Sequence, residues 1–198
     1  SKGDCMSNKE KVIKLLNKNN GYFTTSDFLN LGLSKTTLKN YLNEGIVEKV
    51  CNGIYIDPKL LEDELYVIQL KYPFAVASYE SALDILGLLN NIPSNINITI
   101  PRGKTVRANC EVHYVSENKY NVGITYAVNN FGNKIKIYNV ERCICDMLRQ
   151  DNDLEQQNRT LNYYFSSESK NIERLLEYAK IFNIYEKVNT IVEVMMKW

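Results

Sequence analysis

The chain carries 24 Lys/Arg against 23 Asp/Glu over 198 residues, a formal net charge of +1, which argues against a protein coated by nucleic acid along its whole length. That length admits two compact domains or one large one. No apolar run approaches the roughly 20 residues needed to span a bilayer, no signal-peptide pattern opens the chain, and five cysteines without metal-type spacing suit a reducing cytosol.

Residues 1–8 read as a tag or disordered start, with Ser1–Cys5 an expression scar and Met6 a native start. Val12, Ile13, Leu15 and Leu16 predict a first helix over Lys9–Asn17, ended by Gly21. Thr24 or Thr25 offers an N-cap hydroxyl to a second short helix with Phe28, Leu29 and Leu31 inward, and Gly32 supplies the turn. Ser34 caps a third helix, where Leu33 before the cap and Leu38 after it match a hydrophobic staple. At about 100° per residue, Leu38, Tyr41 and Leu42 share one face. Thr36, Asn40 and Asn43 lie opposite, flanked by Thr37 and Lys39, with Lys35 in the first turn. Gly45 closes the helix. Ile46–Val50 and Ile54–Asp57 then flank Asn52-Gly53, a hairpin signal because a type I′ turn needs φ > 0 at both central residues.

A helix–turn–helix followed at once by a hairpin is the order of a winged-helix domain, placed here over 9–62. That order nominates DNA as the partner, since Asn and Thr can meet base edges in the major groove and Lys can meet phosphates. The candidate interface is Lys35, Thr36, Thr37, Lys39, Asn40 and Asn43 on the third helix, with Lys49, Asn52 and Gly53 on the wing. The competing reading is a helical subdomain that contacts protein. Residues 1–60 hold nine Lys/Arg against six Asp/Glu, an asymmetry that favours DNA without establishing it.

Pro58 and the acidic Glu62-Asp63-Glu64 mark the passage into a second domain over 63–198. A connecting helix is predicted over Leu60–Tyr72, with Leu61, Leu65, Ile68 and Tyr72 on one side and Pro73 as its stop. Phe74–Ala77 reads as a short buried strand or extended segment. Ser78 caps a helix over Tyr79–Leu89 with Ala82, Leu83, Leu86 and Leu89 inward, although Gly87 draws its end back towards Leu86. Strands follow at Ile96–Ile100 and Glu111–Ser116, and Ile124–Val128 and Lys134–Tyr138 form a hairpin. Asn139 caps Val140–Arg149, and Leu154–Trp198 divides into three helices with breaks near Ser166–Ser169 and Asn183. The fold class is therefore α+β, a winged helix followed by a small mixed or antiparallel sheet backed by a C-terminal helical bundle.

The order of these motifs is similar to a known family. A winged helix ending in Gly53-Ile54-Tyr55 leads to Ser78-Tyr79-Glu80-Ser81-Ala82-Leu83 and Leu86-Gly87-Leu88. The strand Ile96–Pro101, the Val112-His113 strand and Glu141-Arg142-Cys143-Ile144-Cys145-Asp146-Met147-Leu148-Arg149 follow in the same order. Together they resemble the AbiEi antitoxins of bacterial abortive-infection toxin–antitoxin pairs, from about Lys9 to the C-terminal helices. The resemblance implies a winged helix that binds inverted repeats in its own promoter and represses the operon. It also implies a C-terminal domain that counteracts a nucleotidyltransferase-like toxin, classed as type IV, without a required stable complex. One departure is that members often carry more basic residues on the recognition helix and wing than Lys35, Lys39 and Lys49.

Enzymatic chemistry finds little footing, and no catalytic set, cofactor or metal is expected. His113 lies in an alternating strand with no partner motif, and Cys143 and Cys145 have no second pair to complete a zinc set. Glu117-Asn118-Lys119 has a spacing found in some nucleases but lacks a strand-borne Asp beside it, and Gly103 and Gly123 are isolated. Arg142, Asp146 and Arg149 read as helix-surface ion pairing, and Tyr163-Tyr164-Phe165 as core. Arg102, Lys104 and Arg107 form a basic loop that is either simply solvated or a surface for DNA phosphate, RNA or the toxin. Two rivals to the antitoxin stand beside it. One is a standalone winged-helix regulator whose C-terminal domain senses a ligand or dimerises, and the other is a DNA-targeted nuclease using Glu117 and Lys119.

Overall fold

Ser7 and Glu10 close a reciprocal capping box, each side chain taking the other's backbone N–H, so α1 (Asn8–Lys18) begins inside the stretch expected to be a disordered start. The computed structural model describes residues 6–89, 92–150 and 153–197; Ser1–Cys5, read above as a scar, lie outside them. The chain divides into two compact units, Ser1–Lys71 and Tyr72–Trp198.

In the first unit β1 (Tyr22–Thr24) follows α1, then α2 (Thr25–Asn30), α3 (Lys35–Asn43), β2 (Glu48–Cys51), β3 (Ile54–Ile56) and α4 (Glu64–Lys71). The three strands form an antiparallel sheet in the order β1-β3-β2, the topology of a winged helix. β1 is absent from the sequence reading because three residues are too few to display a period of two. Successive residues on a strand face opposite ways, so the sheet is apolar on both sides. Phe23 and Tyr55 stack at 5.2 Å in a core with Val12, Leu16, Phe28, Leu38 and Val47. Tyr22, Ile54 and Ile56 turn to the other side and pack with Val67 of α4.

That second cluster corrects the expected boundary at residue 62, because α4 belongs to the first unit. The helix also starts later than expected. The Tyr22 hydroxyl accepts the Asp63 N–H at 2.8 Å and Asp63 Oδ1 accepts the Tyr66 N–H at 3.1 Å, so the helical turn begins only after Asp63. Leu61, expected inward, is 83% exposed, and Leu29 of α2 is also exposed.

The second unit contains β4 (Val76–Ala77), α5 (Tyr79–Ile85), β5 (Asn97–Pro101), β6 (Glu111–Val115), α6 (Glu117–Tyr120), β7 (Ile124–Val128), β8 (Lys134–Tyr138) and α7 (Val140–Leu148). It ends with α8 (Leu154–Ser166), α9 (Ile172–Ile181) and α10 (Tyr185–Met195). The sheet is mixed, in the order β6-β5-β4-β8-β7, with parallel pairs β5/β6 and β4/β8 and antiparallel pairs β4/β5 and β7/β8. The architecture is α+β, as expected.

α7 lies between two clusters. Cys143 packs with Val76 and Tyr138 of the sheet and with Ala82 and Leu83 of α5. Ile144, Cys145, Met147 and Leu148 pack with Leu161, Tyr164, Leu175, Ala179 and Val188 of α8, α9 and α10. Among the described residues no helix is long and apolar enough to cross a membrane.

Candidate nucleic-acid interface

The Ser34 hydroxyl accepts the Thr37 N–H at 3.1 Å and lies 3.0 Å from the Thr37 hydroxyl, so both side chains close the first turn of α3. Leu33 and Leu38 are buried on either side of that cap, as a staple requires. Leu38 enters the unit's core, and Tyr41 meets the edge of Phe28 at 6.3 Å. Those contacts settle which way the helix turns. Lys35, Thr36, Lys39, Asn40 and Asn43 are left exposed, while Thr37 is half-buried. The helix contains no acidic residue; Glu44 follows as its C-cap.

At the wing tip Lys49 Nζ donates to Asn52 Oδ1 at 2.9 Å, and the Gly53 carbonyl accepts the Thr25 N–H at 2.9 Å, tying the wing to the start of α2. The expected type I′ turn is not formed. Gly53 has φ +85°, but Asn52 is not among the residues with positive φ, and β2 shifts register between Lys49 and Cys51. One extra residue on β2 supplies the local twist that a second positive φ would otherwise provide.

The charge reading also changes with the boundary. Glu62, Asp63 and Glu64 belong to the first unit, whose residues 1–71 hold ten Lys/Arg against nine Asp/Glu. The acids gather at one place: burial pushes the Glu62 carboxyl up, and Glu64 and Glu48 add repulsion. The unit's net charge is therefore near zero, and among the described residues its exposed cations without a neighbouring acid in the same element are Lys35 and Lys39 of α3.

In the second unit Arg102, Lys104 and Arg107 are all exposed, on a segment from Pro101 to Cys110 that has no acidic residue. The loop is held in place. The Tyr72 hydroxyl accepts the Arg107 N–H at 3.2 Å and lies 3.3 Å from the Arg107 carbonyl, to which it can donate. The Arg102 N–H donates to the Val115 carbonyl at 2.9 Å, and Lys104 Nζ lies 5.6 Å from the Phe74 ring. Periodicity marks Tyr72 as the end of a helix, and a contact 35 residues away leaves no local signal.

The Arg142/Asp146/Arg149 group is not surface ion pairing. Arg142 is fully buried, donating from Nε to Asp146 Oδ2 at 2.9 Å and from Nη1 to the Lys119 and Val122 carbonyls, both at 2.7 Å. Its guanidinium lies between the Tyr138 and Phe182 rings, 3.9 and 4.3 Å from their centroids. Gly123 permits this approach, since a Cβ there would sit 2.7 Å from that of Arg142 and its φ is +84°. Arg149, partly exposed, reaches Asp146 Oδ1 at 3.2 Å. Burial raises the Asp146 carboxyl, with Arg142 and Arg149 pulling the other way. Glu141, also buried, accepts from the Tyr164 hydroxyl at 3.3 Å.

The remaining candidates all lie in the second unit. Glu117 and Lys119 lie on the single turn of α6, where the Lys119 carbonyl receives Arg142. Cys143 and Cys145 are buried, and burial pushes the Cys145 thiol up to about 12. Nε2 of His113 lies 2.8 Å from Asn97 Oδ1, and its ring is 4.0 Å from that of Tyr79. Tyr163 is exposed, whereas Tyr164 and Phe165 are buried as expected.

No family model matches the chain, and no curated protein matches it. Among solved structures it is similar to the crystal structure of the RV2827C protein from Mycobacterium tuberculosis. The identity is 13% and the TM-score 0.51, with 94% of this chain and 80% of that chain covered. That likeness concerns the fold alone.

Proposed function

We propose that this chain is an AbiEi-like antitoxin, acting in the cytoplasm as a binding protein that represses its own operon. In this reading the winged helix binds inverted repeats in promoter DNA, and the second unit counteracts a nucleotidyltransferase-like toxin. The observation that carries it is the surface of α3, where Lys35, Thr36, Lys39, Asn40 and Asn43 are solvated together without an acid. The order of family-like motifs along the chain supports the antitoxic half, with Arg102, Lys104 and Arg107 as its contact surface.

Gel-shift titration on DNA upstream of the reading frame tests the first half. Lys35→Ala with Lys39→Ala removes two phosphate contacts, so binding weakens and the slope of log K against log salt falls by about two. Asn40→Ala instead relaxes sequence preference. Unchanged binding by the lysine double variant would take α3 out of the interface. For the second half, the full chain with Arg102, Lys104 and Arg107 reversed to Glu is expected to fold, since exposed charges contribute little to stability. It is also expected to lose rescue of cells expressing the neighbouring toxin gene. Full rescue eliminates the loop as the antitoxic surface. A wild-type chain that binds its operator and never rescues is instead a standalone regulator.

A further inference from the structure

β7 is the end strand of the five-stranded sheet and, among the described residues, pairs only with β8. The Asn139 N–H donates to the Gly123 carbonyl at 2.7 Å and the Asn129 N–H to the Asn133 carbonyl at 3.0 Å, which sets the phase of that ladder. In an antiparallel pair mutually bonded residues alternate with unbonded ones, so Thr125 and Ala127 turn their main-chain groups towards β8. The N–H and C=O of Ile124, Tyr126 and Val128 point away from the sheet, with no partner among the described residues.

Open edges of this kind are usually guarded by charge, proline or a bulge. β7 has none of these. Ile124-Thr125-Tyr126-Ala127-Val128 is uncharged, its register is regular, and Tyr126 and Val128 are 53% and 66% exposed. The opposite edge, β6, carries Glu111 and His113, 3.9 Å apart.

We propose that β7 is a homodimerisation edge, pairing antiparallel with β7 of a second copy about a two-fold axis at Tyr126. In that register Tyr126 faces its own copy and Ile124 faces Val128 of the second copy. All of these are residues with outward main-chain groups, so each facing pair exchanges both its N–H···O bonds. Their side chains share one face of the sheet, where the exposed Tyr126 and Val128 become covered.

Self-complementarity selects a second copy as the occupant. Two identical uncharged strands meet no like-charge repulsion, and a partner recognised by charge finds nothing to pair with on the strand. The flanking lysines of β8 are engaged: Lys134 Nζ lies 4.8 Å from the Tyr126 ring, and Lys136 Nζ donates to the Pro73 carbonyl at 2.6 Å. Such an isologous contact consumes both β7 edges and closes. One strand edge with a few side chains belongs at the small end of specific interfaces, so monomer and dimer exchange in the micromolar range. A two-fold dimer carries two winged helices, as an inverted repeat asks, but its existence is measured without DNA and stands or falls separately from repression.

Sedimentation velocity on the full chain across the micromolar range tests it. The apparent mass should rise from 22.9 kDa towards twice that value. Tyr126→Lys sets like charges opposite each other. Val128→Pro deletes an outward N–H while leaving the β8 ladder intact. Each should weaken dimerisation roughly tenfold or more, whereas Tyr114→Lys on β6 should leave it unchanged. Circular dichroism identifies any variant that fails to fold, and the other variant then decides. A wild-type mass that stays at 22.9 kDa throughout overturns the proposal. So does a folded Tyr126→Lys or Val128→Pro that dimerises like wild type, or a dimer abolished by Tyr114→Lys.

Discussion

α3 and α7 are both nine residues long and both N-capped by a polar side chain; α3 carries Lys35 and Lys39 four residues apart, and α7 carries Arg142 and Asp146 at the same spacing. α3 rests one face on the first unit's core and leaves Lys35 and Lys39 in water. α7 buries every residue from Glu141 to Leu148 because it lies between the sheet cluster and the α8–α10 cluster. Charged side chains at the same four-residue spacing thus lie on a solvated surface in one helix and in an internal ionic lattice in the other. The number of layers packed on a helix decides which, and the energetic stakes follow. Exposed ion pairs contribute little, while a buried charge that loses its partner is strongly destabilising.

The largest expected effect lies in α7. Arg142→Ala leaves the buried Asp146 with only the partly exposed Arg149 and takes the donor from two carbonyls, and should cost about 3–5 kcal/mol, read from denaturant unfolding. Replacing both partners with apolar residues, Arg142→Met with Asp146→Leu, should recover most of that loss. A single-variant cost below about 1 kcal/mol would return the pair to the class of surface contacts.

A smaller effect is expected beside α3. Gly53 has φ +85° and an added Cβ would meet only the Thr25 hydroxyl at 3.8 Å, so Gly53→Val suffers from backbone strain and not from a clash. The expected cost is about 1–2 kcal/mol, with weakened operator binding in the same gel-shift assay. Retained affinity in a variant whose hairpin is demonstrably altered would make the wing a structural cover only.

Smaller still is the effect of the α3 lysines on stability. Lys35→Ala with Lys39→Ala should move the unfolding free energy by no more than about 0.5 kcal/mol, in contrast to Arg142. A larger loss would mean that α3 is held by its charges and that the two helices differ less than their burial implies.

The smallest concerns His113. Burial lowers its pKa below the ordinary 6.5, with Glu111 opposing. The folded state therefore favours the neutral ring. Its contribution to stability is complete above the ordinary value and is lost as pH falls below it through the folded pKa. His113→Gln should flatten the decline of the unfolding midpoint between neutral and mildly acidic pH; identical slopes in the two proteins would remove His113 from the titration.

Much of the first unit was legible in the chain itself. Capping residues, apolar spacing at 3.6 and the Asn52-Gly53 pair act within a few residues, so the helix order, the Ser34 cap and the solvated face of α3 follow from local chemistry. The same local logic foresaw the end of α5 before Gly87 and the β7–β8 hairpin. Only the tertiary structure decided the rest. β1 is too short to carry a period and exists because β3 completes its hydrogen bonds. Asp63 delays α4 through Tyr22, 41 residues away, and Tyr72 pins the basic loop across 35 residues. Arg142 has the same spacing to Asp146 that a solvated pair would have, but Tyr138, Phe182 and the Lys119 and Val122 carbonyls surround it from distant parts of the chain. Periodicity reports which residues share a face; what lies against that face depends on long-range packing, which no local window contains.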